Sequence, residues 1–233
     1  MADVNYILRT YGLRLRKNSR LSDLYKNAKD YLDAMAYAKG SGDELAQTIS
    51  ALADIANMSE DELTQLLDAC LKTNHGNVTA VCMRAQGAVN RRARLNIGAL
   101  TADYSPEVAR TMAAKLIDSQ DPSFEHLKNL VIKETMGAVD RTISKNASAQ
   151  NEMGLTCHIV RKYDDRGLRA GTKWAEPCQW CLEREGEWDN YQEAYNAGAF
   201  ERHDGCGCVI TYEVGRTRTW SNWKGKWENL DDL

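Results

Sequence analysis

Proline is scarce. The chain of 233 residues has three, and only Pro106 and Pro122 precede residue 174. Before Trp174 the Ala-, Leu-, Lys- and Glu-rich sequence is otherwise free to run as long helices, because an interior proline would break one. Long apolar runs are also missing. Stretches such as Ala34–Ala38 and Ala80–Met83 reach only a few residues, whereas a membrane span needs about 20. No apolar stretch accompanies Arg9, Arg14, Arg16, Lys17 and Arg20, so the N-terminus does not read as a secretory signal. Neither sign of charge dominates: 30 Lys+Arg stand against 33 Asp+Glu, net −3. That balance argues against a general polyanion binder and leaves room for a local basic patch. There is no internal repeat and no low-complexity linker. A 43% apolar, 27% charged composition suits a soluble globular protein of one or two domains.

Tryptophan is absent before residue 174, after which there are six. Charge shifts with it. Residues 1–150 hold 19 basic and 18 acidic side chains, and residues 151–233 hold 11 and 15. A boundary is therefore expected near 150–160, and Asn146–Gly154 is the most linker-like stretch.

Helix signals crowd the first part. Leu21, Leu24, Tyr25, Ala28, Tyr31, Leu32 and Met35 recur at helical spacing and predict a helix ending at Gly40. Leu45, Ile49, Leu52, Ala53 and Ala56 predict a second. Ser59-x-x-Glu62 is a capping box for a third, running to Lys72 and closing near Asn74–Gly76. Asn77 can cap a fourth along Val81, Ala85, Val89 and Ala93. Ser105-Pro106 and Asp121-Pro122 read as helix starts. The last, carrying Leu127, Val131, Ala138 and Ile143, spans about 40 Å at 1.5 Å per residue if it reaches residue 148. Thr156–Tyr163 and Cys208–Val214 read as strands, with a turn at Asp164–Gly167. The expected fold is mainly α: a basic N-terminal arm (1–20), an elongated helical scaffold (21–150), a small zinc-stabilised α+β module (155–215) and a Trp-rich, acidic-ended tail (216–233).

The seven cysteines carry the chemistry. An odd count without a signal peptide points to the reducing cytosol rather than to a disulfide framework. Cys70 and Cys82 fall in helical sequence as small core residues. Four others pair as Cys178-x2-Cys181 and Cys206-x-Cys208, with His203 three residues before Cys206. Structural zinc takes four thiolate or imidazole ligands in a tetrahedron. Two intervening residues let both sulfurs of a C-x2-C turn converge on one ion, and Gly205 and Gly207 let the second cluster fold tightly. Cys178 and Cys181 are the firmest ligands, then Cys206; the fourth is Cys208 or His203. One structural zinc is expected, and His158, His75 and His126 are read as ordinary strand, surface or helix-end residues.

These residues also carry a resemblance. Val160–Leu168 leads into Cys178-Gln-Trp-Cys181-Leu-Glu-Arg-Glu-Gly186, then Ala197–Cys208 with His203-Asp-Gly-Cys206-Gly-Cys208, then Ile210-Thr-Tyr212. The run looks like the C-terminal module of minor head proteins of tailed bacteriophages, the Mu F-like head morphogenesis group. It covers about residues 155–213, and the Cys178-x2-Cys181 pair is an addition that much of that group lacks. The resemblance implies a non-enzymatic structural protein of the virion head, present in the host cytoplasm during assembly. Its implied contacts are portal, major capsid protein or packaged DNA, with no membrane and no small-molecule substrate.

Other readings start from the same residues. A zinc-containing DNA-binding protein or nuclease of a phage or mobile element is the alternative. A nuclease would need a second, catalytic metal, so His203 would have two tasks. An ADP-ribosyl transferase would use the Glu-x-Glu runs at Glu183–Glu187, but no Ser-Thr-Ser strand accompanies them. Residues 77–102 hold Arg84, Arg91, Arg92 and Arg94 and no acid, so they form either a phosphate-binding patch or a solvated face. Trp220, Trp223 and Trp227 have i, i+3, i+7 spacing. On a helix they would share one face, docking on a partner or packing on the zinc module.

Overall fold

A computed structural model describes residues 3–119, 123–163 and 178–215, and the backbone of two short strands at 219–221 and 226–228. The architecture is mainly helical, followed by a small antiparallel sheet. Helix α1 (Val4–Lys17) leads through Asn18 into α2 (Ser19–Asn27), and α3 is Tyr31–Leu52. Helix α4 (Glu60–Arg92) has 33 residues and α6 (Phe124–Glu152) has 29, about 50 and 43 Å at 1.5 Å per residue. The short α5 (Glu107–Asp118) lies between them in sequence.

Local chemistry sets several boundaries. The capping box at Ser59 is closed in both directions by Glu62. Ser123 caps α6 by accepting from the His126 amide, and the Asp121-Pro122 signal lies outside the described residues. Pro106 occupies the cap position of α5 without a side-chain bond, one residue from the expected start.

Other expectations are corrected. The helix predicted to end at Gly40 instead breaks at residues 28–30. Asp30 then caps α3 by accepting from the Asp33 amide, and α3 absorbs both the first stripe's end and the second stripe. Gly40 and Gly42 sit inside it because neighbouring helices approach closely: a Cβ on Gly40 would lie 2.6 Å from Leu21 Cδ2 of α2, and one on Gly42 2.7 Å from Thr135 Oγ1 of α6. Likewise α4 runs through Asn74–Asn77 unbroken, since Asn74 is fully buried and accepts from the Tyr11 hydroxyl at 2.6 Å. The N-terminal arm is a packed helix whose Ile7 and Tyr11 are buried. The linker-like stretch at 146–154 is mostly the last turns of α6. Its Asn146 bonds the backbone of Leu100 in both directions.

The core has two lobes. One joins α1 and α5 to the second half of α3 and the first halves of α4 and α6. The other joins α2 to the remaining halves and to the sheet. The sheet has the order β2-β1-β3, with β1 Thr156–Tyr163, β2 Gly186–Trp188 and β3 Cys208–Gly215, all antiparallel. Cys157 and Ile159 of β1, with Ile210, Tyr212 and Val214 of β3, turn one face onto α3, α4 and α6. The expected boundary near 150–160 is therefore crossed by shared core. A buried polar chain fastens the layers: Tyr31 to Gln86, Gln86 and Gln150 to Asn90, and the Tyr212 hydroxyl to Gln150.

The tryptophan tail is a hairpin rather than a helix. Strands β4 (Thr219–Ser221) and β5 (Lys226–Glu228) pair with Trp220 opposite Trp227, while Trp223 and the turn at 164–167 lie outside the described residues. Among the described residues no helix is long and apolar enough to cross a membrane.

Candidate metal centre

Helix α7 (Gln179–Leu182) is a single turn begun by Cys178. The amides of Cys181 and Leu182 both donate to the Cys178 carbonyl, at 2.9 and 3.1 Å. This brings the two sulfurs to one side. The second cluster follows α8 (Tyr191–Asn196) on a loop that ends in β3. Gly205 there has φ +74°, a left-handed value that favours glycine.

The two segments converge. His203 Nε2 lies 3.4 Å from Cys178 Sγ and 3.0 Å from Cys181 Sγ, and Cys181 Sγ lies 3.7 Å from Cys206 Sγ. Ligand atoms fall into two overlapping groups, Cys178–Cys181–His203 and Cys181–Cys206–Cys208, each within 4.8 Å. All five candidates are thus brought together around Cys181 and can hold a metal. Cys178 is exposed, and Cys181, Cys206 and Cys208 are buried.

The His203 tautomer follows from its partner. Nδ1 lies 2.7 Å from the Asp204 carbonyl, which only accepts, so Nδ1 carries the proton. The lone pair on Nε2 then faces the sulfurs, as metal-binding histidines are arranged.

Basic side chains hold the loop. Arg202 donates to the carbonyls of Cys206 and Cys208 at 3.2 and 2.9 Å and forms a bidentate pair with Asp140 of α6. Lys115 of α5 and Lys133 of α6 both reach Asp204. Arg161 of β1, 0% exposed, donates Nη1 to the carbonyls of Ala199 and Glu201 and points Nη2 at Cys206 Sγ, 3.7 Å away. A hydrogen bond from Cys208 lowers the Cys206 pKa, with Arg202 and Arg161 adding to it against burial. The Cys208 thiol is pushed up, first by that bond and then by burial. Trp180 lies edge-on to the His203 ring at 5.0 Å, under the Arg184 guanidinium.

Asp140, Arg161 and Arg202 are absent from the sequence reading. One signal for Arg161 was available: in a strand it is in phase with Cys157 and Ile159, and so belongs to the core face.

The remaining predicted residues lie elsewhere. Arg84 stacks on Tyr25 at 4.7 Å and donates to the Ala80 carbonyl. Arg84 and Arg91 line an open groove of about 1090 Å³ between α2 and α4, shared with Asp23, Asp30 and Asp33. Arg92 donates to the Lys29 carbonyl. Arg94 lies just past the end of α4 at φ 53°, and the next amide, Leu95, reaches back to the Asn90 carbonyl. His75 is half-buried within α4, with Nε2 3.0 Å from the Ala102 carbonyl, rather than at a surface or helix end. His126 does sit at a helix start, its Nδ1 3.2 Å from Ser119 Oγ. His158 pairs with Asp189 at 2.7 Å on the exposed face of the sheet.

Comparison with protein-family models, with curated proteins and with solved structures finds no match to this chain.

Proposed function

We propose that the chain is a structural minor head protein of a tailed bacteriophage, acting in head morphogenesis with one zinc ion clamping its C-terminal module. The observation that carries this reading is the convergence of Cys178, Cys181, His203, Cys206 and Cys208 on a loop fastened to α6. The residues that resemble the Mu F-like group include His203, Cys206 and Cys208 of this cluster and the strands β1 and β3 behind it, to which Cys178 and Cys181 are an addition.

The donor set suits zinc, which takes sulfur and imidazole nitrogen in a tetrahedron. A role in scaffolding fits the use of the imidazole: His203 Nδ1 is committed to a carbonyl and Nε2 faces sulfur, so this ring is not available as a general base. Two helices longer than 40 Å offer extended lateral surface for a portal or a major capsid protein. Contact with packaged DNA has less support, because Arg84 and Arg92 are turned to acceptors within the chain. The expected location is the virion head, and the host cytoplasm during assembly.

Two measurements test this. Elemental analysis of protein purified without chelator should find one zinc per chain. Co-expression with the portal and major capsid proteins of a tailed phage should place the chain in assembled heads. Heads that exclude it, or metal-dependent cleavage of plasmid DNA, would favour the DNA-binding or nuclease alternative.

A further inference from the structure

We propose that the metal is held by Cys178, Cys181, His203 and Cys206, with Arg161 as the buried counter-cation of the complex and Cys208 outside the ligand set. This rests on the metal reading above and assigns that site its ligands and its charge.

Two observations carry it. The first is distance. Tetrahedral bonds of about 2.3 Å to sulfur and about 2.0–2.1 Å to nitrogen put sulfurs about 3.8 Å apart and a sulfur and nitrogen about 3.5 Å apart. Cys181–Cys206 at 3.7 Å and Cys178–His203 at 3.4 Å match those edges. Cys181–His203 at 3.0 Å is somewhat tighter. Cys206 joins the first three only through Cys181. Its flanking Gly205 has open space around it, which lets the sulfur close on an ion.

The second is charge. Arg161 is fully buried, and among the described residues it makes no ion pair with a carboxylate: Asp140 lies near enough to feel its charge but is paired with Arg202, and Arg161 Nε has no hydrogen-bond partner at all. Besides two backbone carbonyls, its guanidinium meets the Cys206 sulfur and the Trp180 ring. A buried cation without an anion is costly, so an anion belongs here. Arg202 does not need one, since Asp140 already answers it. A divalent ion with three thiolates and a neutral imidazole carries one negative charge, which Arg161 balances. Four thiolates, with Cys208 replacing His203, would leave a second negative charge without a buried partner. The alternative that drops Cys206 for Cys208 gives up the sulfur that Arg161 Nη2 reaches at 3.7 Å. Lys115, Lys133 and Asp204 do not alter this count, because all three are partly exposed and water screens them.

X-ray absorption at the zinc edge on the wild-type, full-length protein decides the set. The expected result is one nitrogen at about 2.0–2.1 Å and three sulfurs at about 2.3 Å. Four sulfurs would overturn the ligand assignment and leave the metal reading standing. No metal at all would overturn both. Cys208→Ser should keep one zinc per chain, and loss of zinc with that change would also sink the assignment. Arg161→Gln should weaken zinc affinity about 10–100-fold in competition with a chromophoric chelator, as other outer-shell losses do. Arg161→Lys should recover part of it. Unchanged affinity in Arg161→Gln would refute the counter-cation. Should that variant fail to fold, recovery of folding by Arg161→Lys supports the charge role and its absence counts against it.

Discussion

Asp140 and Arg202 form a two-pronged ion pair inside the protein: Nε lies 2.8 Å from Oδ2 and Nη2 3.1 Å from Oδ1, with side-chain exposures of 0% and 3%. Burial raises the Asp140 pKa, and Arg202 pulls it back only in part. Removing one partner strands the other charge. We expect Asp140→Asn to cost about 3–5 kcal/mol, read from urea denaturation. The double change Asp140→Leu with Arg202→Met should cost less than the sum of the two singles. Additive losses, or a single-variant loss below about 1 kcal/mol, the range of exposed pairs, would show that the pair is a bystander.

The close crossing of α3 and α6 yields a steric prediction. Gly42→Leu would drive a side chain into Thr135 and Ile132. Overpacking of this kind costs about 1–3 kcal/mol. Thermal melts should show Gly42→Leu destabilised and Gly76→Ala little changed, because a Cβ at Gly76 meets nothing within 4 Å. Equal effects at the two sites would contradict the crossing.

His75 predicts a pH dependence. Burial first, and Arg141 further down, lower its pKa below the usual 6.5, although its bond to Ala102 pulls the other way. The folded state therefore binds this proton less readily than the unfolded chain. Its stability contribution is full above about pH 6.5 and is lost as pH falls below that. The urea midpoint should drop between about pH 7 and pH 5, before most carboxylates titrate. His75→Gln, which keeps a donor for Ala102, should show a shallower drop; an identical slope would clear His75 of the effect.

The tail bears on assembly. Among the described residues the core ends at Val214. Deleting residues 216–233, with the Trp220–Trp227 hairpin, should leave the helical circular dichroism and the zinc content intact while the chain no longer enters heads. Incorporation of the truncated chain at wild-type level would rule out the tail as the docking element.

Where a signal is local, the sequence carried it. The Ser59 capping box, the alternation in Thr156–Tyr163 and the tight turn at Cys178-x2-Cys181 are each set within a few residues, and each was legible. The length of α3 and α4 was not. Gly40 and Asn74–Gly76 look like stops, but tertiary partners override them: Leu21 of α2 packed against Gly40 and the Tyr11 hydroxyl on Asn74. The spacing of Trp220, Trp223 and Trp227 fits a helix by period, yet Thr219–Ser221 and Lys226–Glu228 are short enough for a hairpin, which period alone does not separate. At the site, ligand types were legible and their supports were not. Asp140 and Arg202 lie far apart in sequence and meet only once the sheet has docked.

The edge-to-face contact of Tyr31 with Tyr212, ring centroids 6.1 Å apart, ties the third helix to the last strand of the sheet. A ribosome delivers Tyr31 long before Tyr212. Until β3 emerges, Met35 and Ala38 on α3, together with Met136 and Val139 on α6, have no sheet to cover them. Contacts this distant in sequence form late and slowly, and such uncovered surface invites association. A nascent chain stalled before residue 208 should therefore hold its helices while remaining a client for chaperones, and release should follow only when the final strand is out.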